Sequence, residues 1–200
     1  MKSAVLSTRG VLAALFVIIF CSALSCQVRP HLVIHQTDAL IVVLRAIPAG
    51  YPSLEPYNHS YAIQPDEVLN ILESVQYEAG SLIPFSGKHS REVFTRQQGE
   101  LLAPAISKSL RQALPEEVVE FSLADQDRPD CRTKGLVFVL HDELHLIIEE
   151  LRKPVYQGEP NTYQQPVLRW ELLPSDKQRH YTSRPGGKGK ITNWIITPLR

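Results

Sequence analysis

Cysteine is scarce in this chain, with three residues among 200. That number is too small for a disulfide-stapled scaffold, which needs several pairs. Basic and acidic residues are equal in number, 21 of each, and this balance excludes a protein whose whole surface is directed at nucleic acid. No apolar run reaches the length of about 20 residues that a membrane-spanning helix requires. A permanent transmembrane anchor is therefore the weaker interpretation.

The most informative pattern lies at the amino terminus. Lys2 and Arg9 provide a positive start, the apolar run Val11–Phe20 follows, and small residues then lead to Cys26. This order of charge, apolar run and small residues is typical of a secretion signal. The chain is therefore predicted to leave the cytoplasm.

The tetrapeptide Ala23-Leu24-Ser25-Cys26 resembles the lipobox of bacterial lipoproteins, although Ala23 stands where that family usually has leucine. The resemblance implies that residues 1–25 are a signal peptide, and that Cys26 is acylated on its sulfur and on its new amino group. Several acyl chains exceed the two signals that stable anchoring requires. Gln27 rather than aspartate follows the cysteine, which in this family implies the bacterial outer membrane and its periplasmic face. Residues 26–37 are then a lipidated tether.

Two other interpretations of the amino terminus stay open. Ala23 and Ser25 also fit the small residues of an ordinary cleavage site, which would give a soluble secreted protein. In the other, the signal segment stays uncleaved and holds the chain in the membrane.

Cys131 is the one thiol left once the signal is removed and Cys26 is lipidated. It follows a loop that contains three aspartates, and nearby carboxylates disfavour the thiolate form. Cys131 is therefore predicted to be a spectator rather than a nucleophile.

Residues 38–200 are predicted to form a single α+β domain, in which two helices pack on a largely antiparallel sheet of five or six strands. The apolar run Ala39–Ala46 is typical of a strand buried on both faces. Pro65, which two acidic residues follow, suits the start of the first helix. The second helix should begin after Thr95, because Thr95 and Gln98 fit a capping box. Pro104 should kink or split it.

The carboxyl-terminal half is predicted to be mostly sheet. Apolar and polar residues alternate over 119–123, as in a half-buried strand. Leu136–Leu140 and Leu144–Leu151 predict a hairpin that turns at about Asp142-Glu143, although their apolar spacing also fits a helix. Gln165–Leu173 and Ile191–Ile196 are the remaining expected strands.

Two short motifs approach known metal-binding patterns. The segment His141–His145 resembles a zinc-protease motif, but that motif needs a glutamate where Asp142 stands. Asp125, Asp127 and Asp130 could supply oxygen ligands, but Pro129 stands where a calcium loop places another ligand. No metal site is therefore predicted, and the segment with the three aspartates is interpreted as a solvated loop.

The glycine-rich segment Ser183–Lys190 is not a phosphate-binding loop, because Lys190 precedes isoleucine rather than serine or threonine. It favours a turn between strands. No cofactor and no catalytic residue can be assigned, and the chain is not predicted to be an enzyme.

The carboxyl-terminal segment 177–200 is basic and contains no acidic residue. Aromatic and arginine side chains are enriched where proteins meet partners, and Tyr181 and Trp194 lie in this segment. An acidic envelope protein or an anionic envelope polymer is the expected partner, and nucleic acid is not expected. The alternatives are pairing with the acidic residues of 116–150 and plain solvation. The predicted partner-binding residues are Arg179, Arg184, Lys188 and Lys190.

These features together predict a membrane-anchored envelope lipoprotein that acts as a non-catalytic accessory or interaction protein. A periplasmic binding protein for a small or polymeric envelope ligand is the alternative, and a cell-wall hydrolase is a third possibility. A deep pocket with convergent titratable groups would favour the enzyme. A closed apolar cavity would favour a small ligand.

Overall fold

Strands dominate the structure, a computed structural model that describes residues 31–79, 90–155, 170–184 and 188–199. The described residues contain ten strands: β1 Leu32–Gln36, β2 Leu40–Ala46, β3 Gln76–Ala79, β4 Ser90–Glu92, β5 Glu117–Ala124, β6 Cys131–Leu140, β7 Glu143–Pro154, β8 Trp170–Leu173, β9 Arg179–Thr182 and β10 Lys190–Pro198. Seven of them form one antiparallel sheet in the order β1-β2-β5-β6-β7-β10-β9, and the other three form a small sheet in the order β4-β3-β8.

Two helices accompany the sheets in the described part of the chain, α1 Pro65–Glu73 and α2 Arg96–Gln112. The capping box of α2 is confirmed: the Gln98 backbone N–H donates to Thr95 Oγ1 at 3.2 Å, and the Thr95 N–H donates to Gln98 Oε1 at 3.0 Å. Pro104 lies inside α2 without splitting it. Its missing N–H removes one backbone bond, but the packing of the helix against the sheet compensates for that loss.

The predicted α+β class is wrong, because the domain is mostly β and has ten strands in two sheets among its described residues rather than five or six in one. The two helices and the antiparallel pairing are present. Strands such as β3, β4 and β9 have three or four residues and are largely exposed or mixed in burial. Strands this short carry too little alternation for the sequence to predict them.

β1 corrects the predicted boundary of the domain. Residues 32–36 belong to the predicted tether, yet they pair with β2 at the edge of the seven-stranded sheet. The polar residues that follow mislead here, because Thr37 and Asp38 form the turn into β2 rather than the end of a linker. Residues 1–30, which include the predicted signal peptide and Cys26, lie outside the described residues. Within the described residues, no helix has the length and apolar character needed to cross a membrane.

The connection between β6 and β7 settles the hairpin-or-helix ambiguity of residues 136–151. Leu140 pairs with Glu143, so His141 and Asp142 form a two-residue turn. Both have positive φ angles, 53° and 58°, as the tight hairpin turns that match strand twist require. The hairpin prediction is confirmed, with its turn one residue earlier than expected.

The seven-stranded sheet is buried on both faces over its central strands. One face packs against α1 and α2 through aliphatic side chains such as Leu44, Leu102 and Leu146. The other face carries Phe138 and Trp194. The irregular segment 47–61 covers it, and that segment is held by backbone bonds such as Tyr57 N–H to Pro115 O.

Candidate binding site at the loop end of the seven-stranded sheet

Three chain reversals lie at one end of the seven-stranded sheet. The turn 37–39 joins β1 to β2, and the loop 125–130 joins β5 to β6. Leu40 pairs with Leu123, and both strand ends therefore lie side by side. The β9–β10 hairpin also reverses here, because β10 runs antiparallel to β7 and begins beyond the point at which Trp194 pairs with Ile147. We call this the loop end. The His141–Asp142 turn lies at the opposite end.

A groove of about 470 Å³ opens at the loop end, beside the first turns of α2. Leu101, Leu123 and Pro129 give it apolar walls. Leu101 is 39% exposed, although it is a large apolar side chain on a regular helix. The groove combines three stretches of chain that are far apart in sequence: Asp38, Ala39, Gln97, Gln98, Leu101, Leu123, Ala124, Asp125, Gln126, Pro129 and Arg132.

Asp125 is the buried carboxylate of the groove, and it is fully engaged. Its Oδ1 accepts the backbone N–H groups of Asp127 at 3.0 Å and of Arg128 at 3.1 Å. Its Oδ2 lies 3.2 Å from Arg152 Nε. The sequence interpretation of Asp125 as part of a solvated loop is therefore wrong, since its carboxylate folds the loop around itself.

Arg152 links the groove to the small sheet. Besides contacting Asp125, its guanidinium donates to the Glu92 carbonyl at 3.4 Å and lies over the ring of Tyr77 at 5.9 Å. Its φ of 48° is in the left-handed region, within β7. Non-glycine residues avoid this region unless their surroundings hold them there. Here the bond from its own N–H to Thr133 Oγ1 and the three guanidinium contacts hold it.

Arg132 is the second cation of the groove. Its guanidinium donates to the Asp38 carbonyl at 2.6 Å and to the Ser122 carbonyl at 3.3 Å. It therefore ties the β1–β2 turn to β5. Carbonyl oxygens satisfy its N–H groups without cancelling its charge.

Side-chain amides form the polar rim of the groove. Gln98 Nε2 donates to the Ala124 carbonyl at 3.0 Å, and Gln126 Nε2 donates to Gln97 Oε1 at 2.6 Å. Thr95 Oγ1 in turn donates to Gln126 Oε1 at 3.3 Å. These bonds join the start of α2 to the β5–β6 loop, so the rim is ordered before anything binds.

Comparison of the chain with protein-family models, curated protein sequences and solved structures gives no match.

The structure does not bring the four predicted partner-binding cations together. Arg184 and Lys188 are exposed at the loop end, where the Arg184 N–H donates to the Lys188 carbonyl at 3.2 Å. Within the described residues, neither side chain has an ion-pair partner. Lys190 lies 3.9 Å from Glu171. Arg179 lies at the opposite end of β9 and bonds Glu143 at 2.6 Å.

The histidines of the 141–145 segment are separated by the hairpin. His141 is exposed in the turn, whereas His145 is buried on β7. The His145 ring stacks on Phe138 at 4.8 Å, and its Nδ1 accepts the Trp194 indole N–H at 3.2 Å. Burial, reinforced by the charges of Arg179 and His141, lowers the pKa of His145 to about 3. In the described part of the chain, no three His, Cys, Asp or Glu side chains are grouped as metal ligands.

Cys131 is buried at the start of β6 and forms no disulfide.

Sequence reasoning missed the groove, because each of its stretches looks like an ordinary turn or helix start. A weak signal was present in the glutamine pair Gln97-Gln98 beside the capping box, since neither packing nor capping requires Gln97.

Proposed function

We propose that this chain is a lipid-anchored protein of the bacterial envelope that acts as a non-catalytic interaction protein, and that its partner binds at the loop-end groove. One observation carries the proposal: the groove is open and apolar-walled, while its buried charges already have internal partners. Asp125 is held by Arg152 and two backbone N–H groups, and Arg132 is held by two carbonyls.

This arrangement suits binding better than catalysis. A general acid or base needs a titratable group within reach of the substrate and free to exchange a proton. The Asp125 carboxylate instead accepts three contacts that organise its own loop. The lining therefore offers shape, apolar contact and amide hydrogen bonds, which are the usual means of recognition without chemistry.

A binding protein for a small envelope ligand is the second candidate. The groove volume of about 470 Å³ falls within the range of roughly 300–1,000 Å³ that is common for small-molecule sites. Against it, the groove is open rather than closed, and Leu101 and Gln97 are exposed at its mouth. An open mouth suits an extended partner segment better than an enclosed small molecule.

The anchor is proposed from the amino-terminal sequence, in which Cys26 ends a lipobox-like segment. Cys26→Ala should remove the acylation site, because the sulfur of Cys26 is the atom that carries the lipid. The variant should leave the membrane fraction or accumulate as an unprocessed precursor, as immunoblotting of membrane and soluble fractions would report. Equal processing and equal membrane binding in the variant would refute the acyl anchor.

Site-specific photocrosslinking tests the groove. A photoreactive amino acid at position 101 should give a defined crosslinked partner in intact cells. The same replacement at Leu114 is the matched control, because Leu114 is 36% exposed, close to the 39% of Leu101, and follows the far end of α2. If position 101 gives no adduct, or only the adducts seen at position 114, the groove is not the interaction site.

A further inference from the structure

The loop end presents two different surfaces within reach of one ligand. The groove lies at the β1–β2 turn and the β5–β6 loop, whereas Arg184 and Lys188 project from the β9–β10 hairpin. In the strand order, β5 and β6, which flank the groove, are separated from β10 and β9 by two to four strand spacings. At about 4.8 Å per spacing, the two surfaces lie about 10–19 Å apart.

The two surfaces of the loop end differ in charge. Beside the groove, the exposed Asp127 and Asp130 are offset by the exposed Arg128 and by Arg132 in the groove wall. The hairpin is positive, and Arg184 and Lys188 lack ion-pair partners among the described residues. A carboxylate of a ligand would therefore be attracted more strongly to the hairpin than to the groove.

We propose that the loop end binds an extended acidic segment of a partner protein, which seats an apolar side chain against Leu101 and Pro129 and places a carboxylate at Arg184 and Lys188. This inference rests on the proposed interaction function and names its ligand. An extended chain rises about 3.3 Å per residue, so the apolar residue and the acid are separated by about three to six residues. The acidic end of the segment lies at the hairpin, because the exposed charges there are positive.

The occupant is a protein segment rather than the membrane surface for a topological reason. β1 begins at the end of the sheet opposite the loop end, since Leu32 pairs with Leu44 and β1 runs towards the turn 37–39. The described chain thus begins, at His31, at the end away from the groove and from Arg184 and Lys188. Cys26, the proposed acylation site, precedes that end of the domain in the sequence.

Selection from a display library of random dodecapeptides on the purified domain tests the inference. Peptides with an apolar residue about three to six positions from Asp or Glu should be enriched. Arg184→Glu/Lys188→Glu should weaken the binding of a selected peptide about tenfold or more, because two attractions become repulsions. Leu101→Arg should weaken it as well, and added salt should weaken wild-type binding.

Matched controls separate the loop end from general charge and fold effects. Lys108→Glu/Lys177→Glu changes the net charge by the same amount as Arg184→Glu/Lys188→Glu. It does so at exposed lysines of α2 and of the segment before β9. Leu114→Arg is the control for Leu101→Arg, because it introduces the same charge at a similarly exposed leucine. Both controls should bind the selected peptide as wild type does, and circular dichroism should show that all variants are folded.

Three results would overturn the inference: no enrichment over background, selected peptides that bind the reversed variant unchanged, or binding to phosphatidylglycerol vesicles in place of peptides. If the cellular adduct at position 101 persists after Arg184→Glu/Lys188→Glu, the partner segment is not held by its acid, and the interaction function still stands. If position 101 gives no adduct even without the charge reversal, the interaction function itself is refuted.

Discussion

The two faces of the seven-stranded sheet are closed in different ways. On one face, regular helices cover aliphatic side chains such as Leu102 and Ile106, which are fully buried. On the other, the irregular segment 47–61 covers a cluster that includes Phe138, His145 and Trp194. The helical face depends on apolar burial, whereas the aromatic face adds ring stacking and polar atoms that must be desolvated. The aromatic face should therefore be the one that responds to pH.

Trp194 should give the largest effect on the aromatic face. Its ring stacks on Tyr181 at 4.0 Å and meets Tyr51, Phe138 and His145 edge-on. Trp194→Ala should lower the free energy of unfolding by about 3–5 kcal/mol, as measured by urea denaturation. Trp194→Phe should restore part of this loss, since it keeps an aromatic ring but not the bond to His145. If Trp194→Ala costs less than Leu110→Ala on the helical face, the aromatic cluster is not a packing centre.

The second-largest effect on the aromatic face should come from acid, which destabilises it. Burial is the main reason that the folded-state pKa is lowered to about 3 for His145 and about 4 for His59, from 6.5. Because the unfolded chain then binds more protons, stability is fully present above about pH 6.5 and falls as the pH drops towards 3. The slope is at most about 1.4 kcal/mol per pH unit for each histidine, and less for the half-buried His59.

Urea midpoints at pH 7, 6 and 5 would measure that slope. His145→Gln should flatten it, whereas His141→Gln should change it far less, because burial rather than the charge of His141 is the main cause of the lowered pKa of His145. The mechanism is specific: His145 Nδ1 accepts the Trp194 N–H, so protonation of that nitrogen removes the bond. An unchanged slope in His145→Gln would show that acid acts elsewhere.

The smallest of these effects is expected at Tyr51. Its hydroxyl donates to Glu149 at 3.1 Å, and burial together with that carboxylate raises its pKa to about 12. Tyr51→Phe should cost about 1 kcal/mol, the usual net value of one hydrogen bond. Tyr181→Phe is the control, because it preserves the stack on Trp194. Equal losses in the two variants would mean that the Glu149 bond contributes nothing of its own.

The sequence could predict the elements that depend on local contacts, but not those that depend on contacts between distant stretches of chain. The start of α2 and the hairpin at 136–151 follow from local signals, namely a capping box and two apolar runs flanking a short turn. The packing of the segment 47–61 on the aromatic face could not be predicted, because Tyr57 contacts Phe138 only after the chain has folded. The groove could not be predicted for the same reason, since Asp38, Leu101 and Arg132 belong to three separate stretches.

Partner binding by the basic segment stays a prediction, but the acidic neighbours of two of its four cations, Arg179 and Lys190, could not be predicted from the sequence. A list of cations contains no information about which acids lie across the sheet. Register places Arg179 near Glu143, at the end of the sheet opposite the β9–β10 reversal. Of the four cations, Arg184 and Lys188 alone lack an ion-pair partner among the described residues.

The position of β1 has a practical consequence for solubility. A recombinant chain that starts at residue 38 would delete β1 and expose the whole edge of β2, whose backbone currently pairs with Leu32–Gln36. β2 is longer, strongly apolar and regular in its pairing with β5, and such edges recruit further strands into aggregates. β1 is a safer edge, because an irregularity between Val33 and His35 interrupts its register. The five residues of β1 therefore protect the domain against self-association.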